Sequence, residues 1–148
     1  MNLQWIHETP PQWDADKARL IGAAPPGTLG ADKLSRFAAG DLIPGDWWRV
    51  EAEGAIVGYG WMDSTWGDAE ILLFVDPERR RLGVGTFILT HLEDEARSRG
   101  FNYLYNVIPK NHPDAEGIER WLGNRSFDAF ADGSLRRSVV PREPASAS

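Results

Sequence analysis

A chain of 148 residues with 42% hydrophobic content is long enough to bury one core and short for two domains. It has no cysteine, which excludes disulfides, thiolate metal sites and a cysteine acyl-enzyme. Its 16 basic and 22 acidic residues give a net charge of −6, the wrong sign for a general nucleic-acid binder, and no window approaches the roughly 20 apolar residues of a membrane-spanning helix.

Leu3 to His7 reads as a short first strand. Thr9-Pro10-Pro11 looks like a helix start, with Trp13, Lys17, Leu20 and Ile21 following at helical spacing. Gly22 to Gly30 is glycine- and proline-rich and reads as a loop, and Thr28 to Ala39 is expected to carry a second short helix stopped by Gly40. Trp47–Ala52 and Ala55–Met62 flank Glu53-Gly54 as a hairpin, with Gly58 and Gly60 marking a close backbone approach. Glu70 to Val75 is nearly all apolar, as expected of a strand covered on both faces.

Val84, Ile88, Leu89, Leu92 and Ala96 then draw an apolar stripe at helical spacing. Glu93 with Arg97 and Glu95 with Arg99 stand four apart in the favourable order, and Gly100 is a natural C-terminal cap. Phe101 to Ile108 is a strand closed by Pro109, and Ala115 to Leu122 a helix capped by Asp114. Phe127–Ala131 and Leu135–Val140 form a last hairpin around Asp132-Gly133, and residues 141–148 read as a disordered tail behind a single domain of residues 1–140. The order implies an α/β fold: a mixed, mostly antiparallel sheet of six to seven strands flanked by helices, with one central right-handed parallel strand–helix–strand unit.

The segment Arg80-Arg81-Leu82-Gly83-Val84-Gly85-Thr86 joins the buried strand to the amphipathic helix. The first N–H groups of a helix have no internal partner, glycines let a phosphate come close, and arginines add charge-assisted contacts. Two phosphates can be cradled there. The Walker pattern needs a Gly-Lys-Ser/Thr ending that is absent, and a dinucleotide loop needs a third glycine where Ile88 stands. The alternative is a tight strand-to-helix turn without a ligand.

With Val75-x-Pro77-x-x-Arg80 leading into Arg80-x-x-Gly83-x-Gly85, the chain resembles the GNAT superfamily of N-acetyltransferases over roughly Leu3 to Val140. The resemblance implies acetyl-coenzyme A as cosubstrate, held by Arg80, Arg81, Leu82, Gly83, Val84, Gly85 and Thr86. It also implies a V-shaped splay between the strands ending at Val75 and near Ile108, with the pantetheine arm beside Phe74, Val75 and Asn111. Pro109 supports that splay independently, because it cannot donate to a strand partner.

Transfer of an acetyl group to a primary amine by direct attack in a ternary complex requires the amine to lose a proton, since a lysine-like amine with pKa about 10.4 is mostly cationic at neutral pH. Glu70 is the first candidate base, the alternative being a solvated strand-start residue, and His112 is the second. No metal is called for. The resemblance implies a tyrosine as proton donor, but Leu122 holds that position, five residues ahead of Phe127, which leaves Tyr103 or Tyr105, an unaided thiolate, or no catalysis. Trp47, Trp48, Trp61 and Trp66 stand near Asp46, Asp63 and Asp68, either as an aromatic, acidic pocket for an amine or as core; adjacent Trp47 and Trp48 must point to opposite faces.

The acceptor is expected to be an amine on a small molecule or a protein, in a soluble, cytoplasmic enzyme with neither nucleic acid nor membrane as partner. Exposed tryptophans would allow a homodimer. One alternative is a non-enzymatic acyl-coenzyme A-binding module that regulates a protein partner; another is a nucleotide-binding module unrelated to acyl transfer.

Overall fold

The computed structural model describes residues 2–22, 37–107, 115–130 and 134–139. The expected second helix within 28–39 falls almost wholly outside them, and Pro109, Asp114, the Asp132-Gly133 turn and the tail lie outside them altogether. Strands β1 (Leu3–His7), β2 (Asp46–Ala52), β3 (Ala55–Thr65), β4 (Asp68–Val75), β5 (Tyr103–Val107), β6 (Asp128–Ala129) and β7 (Ser134–Ser138) form one sheet in the order β1-β2-β3-β4-β5-β7-β6. Only β4 and β5 run parallel among the described strands, and helix α2 (Val84–Ser98) makes their crossover. Helices α1 (Ala15–Gly22) and α3 (Ala115–Gly123) complete the set, with a 3-10 helix at Pro77–Leu82.

The sheet divides the core in two because strand side chains alternate. Trp48, Val50, Met62, Ala69 and Ile71 bury against the α2 stripe of Val84, Ile88, Leu89, Leu92 and Ala96. Trp47, Tyr59, Leu72 and Phe74 bury with Trp13, Leu20 and Ile21 from the α1 side. Trp47 and Trp48 therefore belong to different faces and are core residues, whereas Trp66 stands almost fully exposed on the β3–β4 turn.

Glycines 58 and 60 bring α2 close. A Cβ on Gly58 would sit 2.8 Å from the Phe74 carbonyl and 3.0 Å from Val84, and one on Gly60 would sit 2.7 Å from Trp5.

Two local expectations change in the structure. Helix α1 begins after Asp14, not at Thr9-Pro10-Pro11, because the Asp14 carboxylate accepts the Lys17 N–H at 2.8 Å and so caps the first turn. Glu93 and Arg97 pair at 3.0 Å as their spacing predicts. Arg99, however, turns to Asp46, and Glu95 accepts from the Trp5 indole at 3.4 Å, so cross-sheet partners displace the expected pair.

Candidate cofactor and catalytic site

The parallel pairing of β4 with β5 is short. Among the described residues it consists of Ala69 opposite Leu104 and Glu70 opposite Tyr105. One residue further on, the Asn106 side-chain amide donates to the Ile71 carbonyl at 2.8 Å, so a side chain spans a gap the backbones no longer close. On its other edge β5 stays paired with β7 as far as Asn106 and Val107, opposite Leu135 and Ser134. Strands β4 and β5 diverge toward the C-terminal end of β4.

Peptide groups alternate along a strand, so the direction of the Ile71 carbonyl places those of Leu73 and Val75 on the open edge as well. The Phe74 carbonyl faces β3, beside Gly58, and the Asp76 N–H donates to the Val57 carbonyl at 2.9 Å. Of the two strand residues expected to meet the cofactor, Val75 thus lies on the opening. Phe74 turns its ring into the α1-side core, stacked on Trp47 at 6.4 Å. Leu73 was not among the sequence candidates, because composition does not give the phase of an apolar strand.

The chain leaves β4 through Asp76, whose carboxylate caps the 3-10 helix by accepting the Glu78 N–H at 3.0 Å. Arg19 of α1 reaches the same carboxylate at 2.9 Å. Burial alone would raise the Asp76 pKa, but the Glu78 N–H and the Arg19 guanidinium hold it below the ordinary carboxylate value. Arg80, Arg81 and Leu82 form the last turn of this helix; their side chains lie outside the described part of the structure.

Gly83 follows at φ 73°, ψ 18°, a left-handed conformation that disfavours any residue with a Cβ. Among the described residues a Cβ there would meet nothing within 4 Å, so backbone shape rather than crowding makes glycine suitable. The first helical bond of α2 runs from the Phe87 N–H to the Gly83 carbonyl, and among the described residues no side chain caps this end. The N–H groups of Val84, Gly85 and Thr86 precede that bond and have no acceptor within the helix. Val84 buries its side chain in the core and Thr86 is exposed. The first turn lies against Val75, which would be 3.8 Å from a Cβ on Gly85. Open N–H groups and an unfilled glycine edge are a donor set that fits a diphosphate.

Over residues 8–123 the sequence matches the model of the acetyltransferase (GNAT) family. The chain belongs to that family. Its GNAT fold is shared with a protein assigned to the family from Desulfovibrio desulfuricans (16% identity, 94% of this chain and 100% of that one, TM-score 0.67). An acetyltransferase of the GNAT family from Staphylococcus aureus is also similar (13%, 94% and 100%, TM-score 0.64). So is the ribosomal-protein-S18-alanine N-acetyltransferase of Escherichia coli (13%, 98% and 99%, TM-score 0.56). At these identities the likeness is one of fold. No curated protein matches in sequence.

Within this GNAT fold Glu70 is the last β4 residue paired to β5, so it stands where the opening begins, on the α1-facing side with Leu72 and Phe74. Asp63 of β3 and Tyr105 of β5 are its neighbours across the sheet. Asn111 and His112 lie outside the described residues. Leu122 is buried in the α2-side core and offers no proton, while Tyr105 is half-buried with the Arg136 guanidinium 5.5 Å from its ring centre.

Among the described residues no cluster of His, Asp and Glu could hold a metal, and no helix is long and apolar enough to cross a membrane.

The sequence candidates also missed Trp121 and Arg125. Arg125 donates to the Thr86 hydroxyl at 3.1 Å and stacks on the Trp121 ring. It lies on an irregular turn 39 residues from Thr86, where neither spacing nor periodicity points to it.

Proposed function

We propose that the chain transfers an acetyl group from acetyl-coenzyme A to a primary amine, on a small molecule or a protein, by direct attack within a ternary complex. The observation that carries this reading is the coincidence at one end of β4 of the strand opening beyond Ile71 and the uncapped α2 terminus. Family membership supports it. When bound, the thioester supplies the activated acyl group. The chain's own residues do the rest.

In this reading the Val84, Gly85 and Thr86 N–H groups hold the diphosphate, and the Leu73 and Val75 peptide groups bind the pantetheine amides. Glu70 takes a proton from the ammonium, directly or through water, and passes it to solvent; the free amine nitrogen then bonds to the carbonyl carbon and loses its second proton by the same route. The carbon–sulfur bond then breaks, the thiolate leaves with the electron pair, and solvent protonates it. Asn111 and His112 remain proposed contacts beside the groove.

Thiol release in the presence of a panel of amines tests the proposal. Glu70→Gln is expected to lower kcat about 10²- to 10⁴-fold while leaving acetyl-coenzyme A affinity unchanged. Undiminished turnover in that variant, with loss in His112→Ala, would move the base to His112.

A second reading follows from Leu122, which is 3% exposed and fills with hydrocarbon the position where many family members carry tyrosine. It makes the chain a non-enzymatic acyl-coenzyme A-binding module that regulates a protein partner. Saturable cofactor binding without thiol release for any amine would favour it.

A further inference from the structure

The mouth of α2 holds a cation that lies outside the glycine motif. After α3 the chain turns through Asn124, Arg125 and Ser126, with Ser126 at φ 69° and the Phe127 N–H returning to the Leu122 carbonyl at 3.1 Å. This turn carries Arg125 back across the start of α2. Its Nη1 donates to the Trp121 carbonyl at 3.0 Å, its Nη2 donates to the Thr86 hydroxyl at 3.1 Å, and its guanidinium carbon lies 3.7 Å from the centre of the Trp121 ring. That ring in turn abuts the first turn of α2, because a Cβ on Gly85 would lie 3.3 Å from it. Guanidinium, indole and helix start are one packed unit.

The charge placement is the informative part. A cation at a helix N-terminus faces the positive end of the helix dipole, which by itself is unfavourable. Among the described residues no carboxylate pairs with Arg125, although the chain carries 22 acidic residues. The indole face and the Thr86 oxygen hold the guanidinium in place, and its remaining N–H donors are left for an acceptor. Because Thr86 accepts from Arg125, its own hydroxyl proton is free to be donated outward. An anion at this spot would satisfy the guanidinium, the hydroxyl and the helix N–H groups together.

We propose that Arg125 belongs to the diphosphate site of acyl-coenzyme A, neutralising the phosphates and fixing the Thr86 hydroxyl as a donor to them, with Trp121 as the platform that orients it. The inference rests on the cofactor reading given above. Titration calorimetry of wild type, Arg125→Gln, Arg125→Lys and Thr86→Val tests it, using coenzyme A and dephospho-coenzyme A, which lacks the ribose phosphate, at low and high salt. Thermal melts of the free proteins check folding.

Arg125→Gln should weaken both ligands by roughly tenfold and flatten the salt dependence, with little change in melting temperature. Lysine should restore only part of the loss, since a point charge does not stack and fork as a guanidinium does. Thr86→Val should weaken both ligands less than Arg125→Gln does. Unchanged affinity in Arg125→Gln overturns the proposal. A loss seen with coenzyme A but absent with dephospho-coenzyme A also overturns it, by moving Arg125 to the ribose phosphate. Failure of the wild type to bind either ligand removes the cofactor reading itself, a result distinguishable from both.

Discussion

Two polar regions of this molecule are built on opposite plans. On the α1 side Lys17 is fully buried, its ammonium 2.7 Å from Glu8 and 3.0 Å from Asp14, with the Tyr59 and Trp47 ring centres 4.9 and 5.6 Å away. Burial and the neighbouring Asp14 and Glu8 carboxylates push the Tyr59 hydroxyl pKa far up, so it stays protonated beside them. Each charge there faces an opposite charge. At the start of α2 the reverse holds among the described residues: N–H groups with no acceptor within the helix, no contact in front of Gly83, and an arginine with no carboxylate. A polar cluster whose charges are paired from within holds elements together. One left open among the described residues is where the proposed cofactor would bind.

The largest expected effect that sharpens this contrast is on the paired side. Lys17→Met removes the nearer of the two cations at buried Glu8, leaving only Arg49 at 3.6 Å, and should destabilise the fold by about 3 kcal/mol. Urea denaturation measures that loss. Acetyl-coenzyme A affinity, measured where the variant is still folded, should stay within about twofold. A binding defect as large as the stability defect would join the two regions and break the comparison.

A smaller effect lies at Asp76, which links α1 to the turn before the glycine loop through Arg19. Its folded pKa is lowered, so its contribution is complete above the unfolded value of about 3.9 and is lost as pH falls through the folded value. Melting temperature should therefore drop below about pH 4 in the wild type, and less steeply in Asp76→Asn. Parallel curves for the two proteins would remove Asp76 from the acid sensitivity.

Periodicity made much of this legible. The α2 stripe, Val84 to Ala96, is buried residue for residue as its spacing requires, and Gly58 and Gly60 mark the close approach read from the strand. The turn from β4 into α2 was legible because glycine spacing there follows from backbone conformation, seen at Gly83. What spacing does not carry is phase and distance. Whether Leu73 or Phe74 faces the opening depends on the register with β3, and Arg125 meets Thr86 only because α3 folds back over α2. The Glu95–Arg99 pair failed for the same reason: Asp46 and Trp5 are remote in sequence but closer in space. Ser126 is instructive. It takes a φ of 69°, a conformation that favours glycine, so a turn of this kind is not marked by glycine in the sequence.

In the proposed function the open start of α2 binds acetyl-coenzyme A through its backbone. Calorimetric titration of wild type against Gly83→Glu tests it most directly, because the glutamate places a carboxylate in the space before the helix N–H groups. Saturable binding in the wild type and none in the variant, with both proteins folded by circular dichroism, is the predicted result. Equal binding by the two proteins, or none by the wild type, would contradict it.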